Sequence, residues 1–478
     1  MQLSGIFPRR MRRWIRNRQT SKHLEQAYRH RREVAEQLIA DFKLQRSDRD
    51  GVRHVLFIVI DSLRRDHMSL NGYSRKTTPF LDSFGENAAV FRDAVCTAPW
   101  TYPSVASIHT SLYPHNHGGV YLEDPRGLHK GMMPQKIRDN ILFLPEILSQ
   151  FGFLTYLGSV FAPVEASLGG RFQNVSADHR KNAAYVLRNY LRWLDVNHQG
   201  NRTFAHIHLG DVHGPLRVPD PYRSAFGTIP DIPLIDMFDY YGEDVMPGEP
   251  AFEHYRENRI KFYDAAVLYV DAQVQQCFRQ LQAMKLMDKT LVVITADHGE
   301  ELWDHMQIEK KYFFSPRAMY GVGHGHHLWQ EVVGVPLLVS GPEITAQDVS
   351  QRVSLVDVMP TILGACGIRR WEAMDLDGQD LFAPTNDRVI FSEDIVFGYE
   401  KKAVFEGRYK LYHSKGDGVS WIFDLVDDPH EESPLDLPEV VDRLIRCIPE
   451  TVRGTEDEER IAVDEETKKQ LRDLGYID

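Results

Sequence analysis

Two apolar segments of the chain end in side chains that bind metal ions. Residues 291–295 are mostly apolar and are followed closely by Asp297 and His298, and residues 55–60 are followed directly by Asp61. Short apolar runs are typical of buried strands in a parallel sheet, and α/β proteins bind ligands at the carboxyl ends of such strands. Because carboxylates and imidazoles are good ligands for a divalent cation, the sequence predicts a metal site at these three residues.

A threonine near the start of a predicted helix is the candidate nucleophile. Pro103 suits the first position of a helix that runs through Ile108, and Thr101 would then lie just before it. Unpaired backbone N–H groups at a helix N-terminus favour an anion. A threonine hydroxyl is a weak nucleophile, so it needs a base or a metal. We predict that Thr101 shares the cation and attacks the substrate; the alternative is that it only caps the helix.

Several histidines are candidates for binding. His213 follows a predicted strand and lies beside Asp211, so we predict a functional role for it. A second metal ion at Asp211, His213 and His324 is an alternative, since Asp and His are apt zinc ligands. We predict that His206 and His208 are packed or hydrogen-bonded on the buried face of a strand. The role of His305 is left undecided. His115 and His117 are predicted to lie in a surface loop.

The elements that would position these side chains indicate an α/β fold. Apolar runs alternate with helical patterns, which predicts a mainly parallel sheet sandwiched by helices. The strongest helical pattern runs from about residue 259 to residue 287. Residues 408–412 and 420–425 predict short antiparallel strands in a small C-terminal subdomain. We therefore expect three regions: an N-terminal extension, a catalytic domain and a C-terminal subdomain, over residues 1–50, 51–385 and 386–478.

Composition narrows the class of protein. The 478 residues carry a net charge of −12, which argues against a nucleic-acid binder. The four cysteines are scattered without a CxxC pair, which favours free thiols in a reducing, cytoplasmic compartment. No apolar run approaches the roughly 20 residues of a membrane span, and no signal peptide is evident.

The N-terminal segment differs from the rest of the chain. Residues 1–32 contain ten Lys or Arg and one acid, Glu25, which leaves the remainder with a charge of −21. Because aromatic residues such as Trp14 interleave with the arginines, this segment could lie on an anionic membrane surface. The alternative is a solvated extension or a helix packed on an acidic face of the protein. In either case we expect residues 1–32 to be dispensable for fold and chemistry.

The order of several short motifs resembles the sulfatase family of the alkaline-phosphatase superfamily. The resemblance covers about residues 51–430. The motifs that carry it are Asn71-Gly72-Tyr73, Thr77-Thr78-Pro79, Ser111-Leu112-Tyr113-Pro114, Asp211-Val212-His213-Gly214-Pro215, Asp297-His298-Gly299-Glu300, His324-Gly325-His326, Val335-Pro336-Leu337 and Leu376-Asp377-Gly378.

This resemblance implies an alkaline-phosphatase-like fold and an ester hydrolase. It implies that Asp61, Asp297 and His298 bind the metal and that Thr101 is the nucleophile. It further implies that His213, together with His324 or His326, holds the anion and protonates the leaving oxygen.

The chain also departs from the sulfatase pattern. Sulfatases use a Cys-x-Pro-Ser-Arg motif whose first residue is oxidised to formylglycine, whereas residues 101–105 read Thr-Tyr-Pro-Ser-Val. Threonine does not give that aldehyde, so formylglycine is not expected. The paired acids of the first strand become Asp61-Ser62, and the active-site lysine aligns with Gly325. A threonine nucleophile resembles instead the phosphodiesterases, phosphotransferases and phosphonate hydrolases of the superfamily.

We therefore predict a metal-dependent hydrolase that acts on small anionic esters, either phosphate esters (diesters included) or sulfate esters. The cation is Ca²⁺, Mn²⁺, Mg²⁺ or Zn²⁺. Two segments, residues 306–322 and 225–258, are candidate lids. Lys310 and Lys311 of the first, with Asp211, are candidate substrate-binding residues.

Two alternatives remain at this stage. One is a transferase that passes the phosphoryl-linked group to a sugar or lipid hydroxyl. The other is a non-catalytic, metal-stabilised binding protein at a membrane surface, which the joint occurrence of Asp61, Thr101, Asp297 and His298 disfavours.

Overall fold

The computed structural model describes most of the chain. The described residues are 31–47, 51–121, 134–178, 181–227, 247–383 and 388–449, together with Arg29, Lys468, Lys469 and Arg472. Most of the basic segment and residues 228–246 of the second candidate lid lie outside this part of the chain.

A mixed, mostly parallel sheet forms the centre of the molecule. Its strand order is β11-β3-β10-β7-β2-β6-β4-β5, and β12 pairs with β3. Only β10 runs against the others within this sheet, because it pairs antiparallel with both β3 and β7. The strands are β2 (His54–Ile60), β3 (Ala89–Val95), β4 (Phe153–Ser159), β5 (Asn174–Ala177), β6 (Arg202–Leu209), β7 (Thr290–Thr295), β10 (Gly334–Ser340), β11 (Gln347–Val349) and β12 (Val353–Ser354).

The strands that carry the predicted metal ligands lie at the middle of this sheet. Every residue of β2 and β7 is buried, as their apolar sequences predict. β2 pairs in parallel with β7 on one side and with β6 on the other. The carboxyl ends of these three strands therefore meet at one edge.

Helices and short strands complete the described structure. The helices are α1 (residues 31–42), α2 (Pro79–Gly85), α3 (Thr101–Thr110), α4 (Pro114–His117), α5 (Leu144–Gln150), α6 (Ala162–Leu168), α7 (Ala183–Asn197), α8 (Pro250–Ala283), α9 (Met306–Tyr312), α10 (Gln330–Val333), α11 (Val358–Ala365) and α12 (Pro438–Cys447). The short strands outside the main sheet are β1 (Gln45–Arg46), β8 (Glu301–Leu302), β9 (Val322–Gly323) and β13 (Ile368–Arg369).

The long helix α8 begins earlier than its apolar stripe predicts. It starts at Pro250 and ends at Ala283, whereas the sequence pattern predicted about 259–287. Proline suits the first helical turn, where a backbone N–H has no intrahelical partner. The first turns are largely exposed, so they carry no apolar stripe for a sequence pattern to detect.

A second, antiparallel sheet follows the main one in the chain. It consists of β14 (Ile390–Glu393), β15 (Lys402–Glu406), β16 (Tyr409–Ser414) and β17 (Val419–Asp424) in that order. This confirms the predicted antiparallel C-terminal unit, and α12 packs against it. The three boundaries proposed from the sequence stay a prediction.

Two other expectations concern cysteines and membranes. Cys96, Cys277, Cys366 and Cys447 are all free thiols, as their spacing predicts. No helix in the described part of the chain is long and apolar enough to cross a bilayer.

Candidate active site

The three predicted metal ligands converge at the carboxyl edge of the sheet. Nε2 of His298 lies 3.5 Å from Oδ2 of Asp297 and 3.8 Å from Oδ1 of Asp61. All three side chains are completely buried. Ligands at about 2.0–2.2 Å from one tetrahedral ion are about 3.3–3.6 Å apart, so this spacing suits one cation.

Local contacts orient the turn that carries two of these ligands. Nδ1 of His298 donates to the carbonyl oxygen of Gly299 at 2.9 Å, which leaves Nε2 with a lone pair for a metal. The hydroxyl of Ser104 donates to the carbonyl oxygen of Asp297 at 2.6 Å. Gly299 is required sterically, because a Cβ there would lie 1.9 Å from the carbonyl oxygen of Glu331.

The buried charges shift one another's pKa values. Burial raises the pKa of Asp297, and the charge on Asp61 raises it further. Burial alone would also raise the pKa of Asp61, but the hydrogen bond from His208 and the neighbouring imidazoles outweigh it and hold that pKa below its ordinary range. Burial would lower the pKa of His298, but Asp297 and Asp61 raise it. The site is therefore a concentration of negative charge that a cation would neutralise.

Thr101 lies next to the three predicted metal ligands. Its Oγ1 lies 3.3 Å from Nε2 of His298, and the side chain is completely buried. α3 begins at Thr101 itself, two residues earlier than predicted from Pro103. Proline is tolerated there because the backbone N–H groups of the first helical turn have no intrahelical partner. Thr101 thus lies at the helix N-terminus, where the backbone favours an anion.

A further residue of the site is His208, near the end of β6. Its Nε2 lies 2.7 Å from Oδ2 of Asp61 and 3.8 Å from Oδ2 of Asp297. It is a hydrogen-bonded, buried histidine, as its position in the strand predicts, but its partners are metal ligands. The parallel register of the folded sheet, which the sequence pattern does not contain, pairs His208 with Val59, two residues before Asp61.

Two of the predicted loop histidines border the cluster. The ring of His324 lies 4.3 Å from that of His298 and 4.8 Å from that of His213. Nδ1 of His324 lies 3.2 Å from Oε1 of Glu300, a residue that sequence reasoning did not assign. Burial raises the pKa of Glu300 to about 7. Nδ1 of His213 donates to the carbonyl oxygen of Gly214 at 2.5 Å, and its buried Nε2 has no hydrogen-bond partner among the described residues.

The remaining predicted site residues lie in other settings. Asp211 accepts a hydrogen bond from the backbone N–H of Ala183 at 2.7 Å, at the start of α7. Burial raises the pKa of Asp211 to about 7. His326 groups with Glu309 and His327, so of the two loop alternatives His324 is the residue beside the cluster.

Lys310 and Lys311 both lie on α9. Lys310 is half-buried, whereas Lys311 is exposed and lies 4.7 Å from the ring centre of Tyr312. Their predicted contact with a substrate stays a prediction.

The prediction of a surface loop at His115 and His117 is wrong. His115 is buried and its Nδ1 lies 2.6 Å from Oε1 of Glu393, on β14. His117 is completely buried, with Nε2 3.1 Å from the hydroxyl of Ser107 on α3. The proline before them begins a short helix, α4, that packs against α3.

His206 and His305 both make structural contacts away from the metal cluster. His206 is completely buried, and its Nδ1 lies 3.0 Å from Nε2 of His109, as predicted for a core histidine. His305 binds Glu331 at 2.6 Å and stacks on Trp329 at 4.1 Å between ring centres.

A small pocket opens beside Glu300. Its lining is mainly apolar, from residues such as Val212 and Leu216, and it includes one cation, Arg259. Apolar pockets with a few polar groups are typical ligand sites.

The donor atoms fit a metal ion. Oδ2 of Asp297 is completely buried and has no hydrogen-bond partner within the described ranges. Two carboxylates, one imidazole and one hydroxyl at this spacing are an oxygen-rich set with one nitrogen, which suits a divalent cation. The Thr101 hydroxyl would share that ion.

Comparison with known proteins identifies the family. The family model described as Sulfatase matches residues 53–368, a span that includes Asp61, Thr101 and the Asp297–His298 turn. The chain belongs to the sulfatase family. It is a sulfatase-like ester hydrolase, as the resemblance of its motifs implied.

Curated relatives agree with this family, and solved structures share the fold. The chain is 24% identical to an ulvan-active sulfatase of Formosa agariphila, over 82% of this chain and 78% of that protein. It is 27% identical to arylsulfatase K of Gallus gallus, over 83% and 82%. The phosphonate monoester hydrolase of Silicibacter pomeroyi superposes with a TM-score of 0.61 at 20% identity, over 82% of this chain and 93% of that chain. A structure solved in complex with D-glucosamine-2-N,6-O-disulfate has a TM-score of 0.60 at 15% identity, over 88% and 97%.

Proposed function

We propose that this sulfatase-family chain is a metal-dependent hydrolase of phosphate esters, diesters included, in which Thr101 is the nucleophile. The observation that carries the proposal is the Thr101 hydroxyl, 3.3 Å from Nε2 of His298 within a buried Asp–Asp–His cluster. An anionic ester substrate is supported by the sulfatases and the phosphonate hydrolase to which the chain is similar.

Each residue of the site has a separate role in the proposed reaction. A divalent cation bound by Asp61, Asp297 and His298 would lower the pKa of the Thr101 hydroxyl and neutralise charge that develops on the ester. The Thr101 oxygen attacks phosphorus while the bond to the leaving oxygen breaks, which gives a phosphoryl-threonine and an alcohol. We assign His213 or His324 to deliver the proton to that leaving oxygen, since both border the cluster. Water then cleaves the intermediate.

A threonine nucleophile favours the hydrolysis of phosphate esters over that of sulfate esters. A phosphoryl-threonine can be hydrolysed, whereas a sulfo-threonine has no aldehyde hydrate through which the sulfate can leave. The purified enzyme should therefore hydrolyse p-nitrophenyl phosphate or bis-p-nitrophenyl phosphate with a higher kcat/KM than p-nitrophenyl sulfate. Mass spectrometry should find Thr101 unmodified.

Substitutions at Thr101 test its role directly. Thr101→Ala should lower kcat by about 10³-fold or more, and Thr101→Ser, which keeps a hydroxyl, should retain a larger fraction. A clear preference for the sulfate ester that disappears in Thr101→Ala would refute the choice of phosphate esters. Full activity of Thr101→Ala would refute the nucleophile.

The metal assignment has its own test. Asp297→Ala removes a completely buried carboxylate from the cluster, so it should abolish most of the metal bound there and most of the activity. The measurement is elemental analysis of metal per chain, paired with kcat. A metal content per chain unchanged from that of the wild type would contradict the assignment.

A further inference from the structure

A second group of buried ligand-type side chains lies beside the catalytic cluster. Glu309 on α9 and the consecutive residues His326 and His327 place donor atoms within 4.8 Å of one another. Glu301 on β8 joins them, since its Oε2 is 3.2 Å from Nε2 of His326. All four side chains are at least nine-tenths buried.

Neighbouring contacts orient the imidazoles of this group. Nδ1 of His326 donates to the carbonyl oxygen of His324 at 3.0 Å, so Nε2 of the neutral ring carries a lone pair. Nδ1 of His327 is held 2.8 Å from the hydroxyl of Tyr412, on β16. Contacts of this kind fix the rings of metal-binding histidines and leave the other nitrogen for the ion.

Several donor atoms of this group lack hydrogen-bond partners. Within the described part of the chain, this holds for Nε2 of His326 and for both carboxylate oxygens of Glu301. The two residues approach at 3.2 Å without the geometry of a hydrogen bond. Leaving such buried polar atoms unsatisfied is costly, so a native structure normally gives them a partner.

The spacing of the donors is close to that of ligands around a tetrahedral ion. Nε2 of His327 lies 3.8 Å from Oε1 of Glu309, and the His326–Glu301 separation is 3.2 Å. Two ligands at about 2.0–2.2 Å from a tetrahedral zinc ion are about 3.3–3.6 Å apart. Glu309 accepts hydrogen bonds from Nε1 of Trp329 and from the backbone N–H of Gly321, which hold the carboxylate in place and leave it further lone pairs.

We propose that Glu301, Glu309, His326 and His327 bind a second, structural zinc ion. Two imidazoles and two carboxylates form a closed set of four ligands of types that zinc binds, and they leave no position for substrate. The site differs from the catalytic cluster in every ligand.

The position of this site gives the ion a structural role. Glu300 and Glu301 are consecutive residues, and His324 lies two residues before His326. Each pair contributes one side chain to either side, because Glu300 contacts His324 whereas Glu301 approaches His326. Through Tyr412, the site also contacts the antiparallel sheet.

The test uses full-length protein with the catalytic cluster disabled. Asp297→Ala, purified from cells supplied with zinc, should contain one zinc ion per chain by elemental analysis. The double variant Asp297→Ala/His327→Gln should contain none. Asp297→Ala loaded with Co²⁺ should show the visible absorption of a four-coordinate ion, and that absorption should disappear in the double variant.

A matched control separates ligand loss from general damage. His305→Gln replaces another buried histidine of the same region, one that binds Glu331 and stacks on Trp329. In the Asp297→Ala background it should keep the zinc ion. If the His327→Gln protein does not fold, Glu301→Gln in the same background serves instead, because it keeps the shape of the side chain.

Two results would overturn the proposal. One is an Asp297→Ala protein that folds but holds no zinc and gives no four-coordinate Co²⁺ spectrum. The other is unchanged zinc content after removal of His327 or Glu301. Neither result depends on turnover, so the proposed phosphoesterase activity can stand or fall separately.

Discussion

His206 and His208 differ by two positions on β6 but contact different groups. His208 donates to Asp61, whereas His206 pairs with His109 in the core. A residue that orients a metal ligand typically changes metal affinity by about 10–100-fold when it is replaced. We expect His208→Gln to weaken metal binding by that factor, while activity at saturating metal falls much less. Titration of metal-free protein with Mn²⁺ or Zn²⁺, followed by activity, measures both.

His206→Gln is the control for that experiment. It removes a buried histidine of the same strand and the same face, but one whose partner is His109. We expect it to lower the free energy of unfolding without changing the metal affinity of folded protein. Equal loss of metal affinity in both variants would mean that His208 acts only through packing.

For single residues, the sequence predicts the metal ligands better than the residues that hydrogen-bond to those ligands. Asp61, Asp297 and His298 follow apolar strands directly, so the chain alone indicates that they meet at one edge. His208 supports Asp61 from a neighbouring strand, and that neighbour is set by sheet order, which the sequence pattern does not contain. The burial of His115 has the same cause, because its partner Glu393 is far away in sequence.

The pair formed by β2 and β6 includes a buried, pH-sensitive contact. Nδ1 of His54 lies 2.9 Å from the hydroxyl of Thr203, its partner in the strand register. Burial, together with the nearby charge of Arg53, lowers the pKa of His54 to about 4. The unfolded chain binds a proton near pH 6.5 and the folded chain does not. The stability contributed by neutral His54 is therefore complete above pH 6.5 and is lost as the pH falls toward 4.

His54→Gln should remove this dependence, since glutamine does not titrate. Between about pH 6.5 and 4, the free energy of unfolding of the variant should fall less steeply than that of the wild type. The difference should be at most about 1.4 kcal/mol per pH unit, the value for one proton. Urea unfolding at several pH values measures it. Parallel pH profiles for the two proteins would show that His54 protonates equally in both states.

Element boundaries and short strands limit what the sequence predicts. The apolar stripe of α8 reports only the part that packs on the core, so it misses the exposed first turns. β8 and β9 have two residues each, too few for an alternating pattern to be visible. That Glu300 contacts His324 whereas Glu301 approaches His326 becomes apparent only in the folded structure.

At the scale of the whole molecule, the N-terminal region contains both the basic segment and a buried anchor. Arg31 is 7% exposed, and its guanidinium lies 2.6 Å and 3.0 Å from the two carboxylate oxygens of Glu146. It also donates to the carbonyl oxygens of Asp139 and Ile141. This contradicts the expectation that all of residues 1–32 are dispensable for the fold. Breaking a buried ion pair of this kind costs about 3–5 kcal/mol.

Two truncations separate the anchor from the basic segment. A protein that begins at residue 29 loses seven of the ten basic residues of positions 1–32 but keeps Arg31. It should retain the wild-type thermal midpoint and its activity on p-nitrophenyl phosphate. A protein that begins at Gln37 lacks Arg31, so Glu146 loses that ion pair and keeps its contacts with Arg171 and the backbone N–H of Phe143. It should therefore unfold at a lower temperature. Equal thermal midpoints would show that the Arg31 contacts contribute little.

The shorter truncation also tests the predicted membrane contact. Each Lys or Arg near an anionic leaflet contributes on the order of 1 kcal/mol, and salt screens that attraction. The remainder of the chain has a charge of −21 and should be repelled. The full chain should therefore co-sediment with phosphatidylserine-containing vesicles at low salt, and the protein that begins at residue 29 should bind much less. Raising the salt should abolish the difference. Equal binding by the two proteins would exclude the membrane role and leave the segment as an extension of the fold.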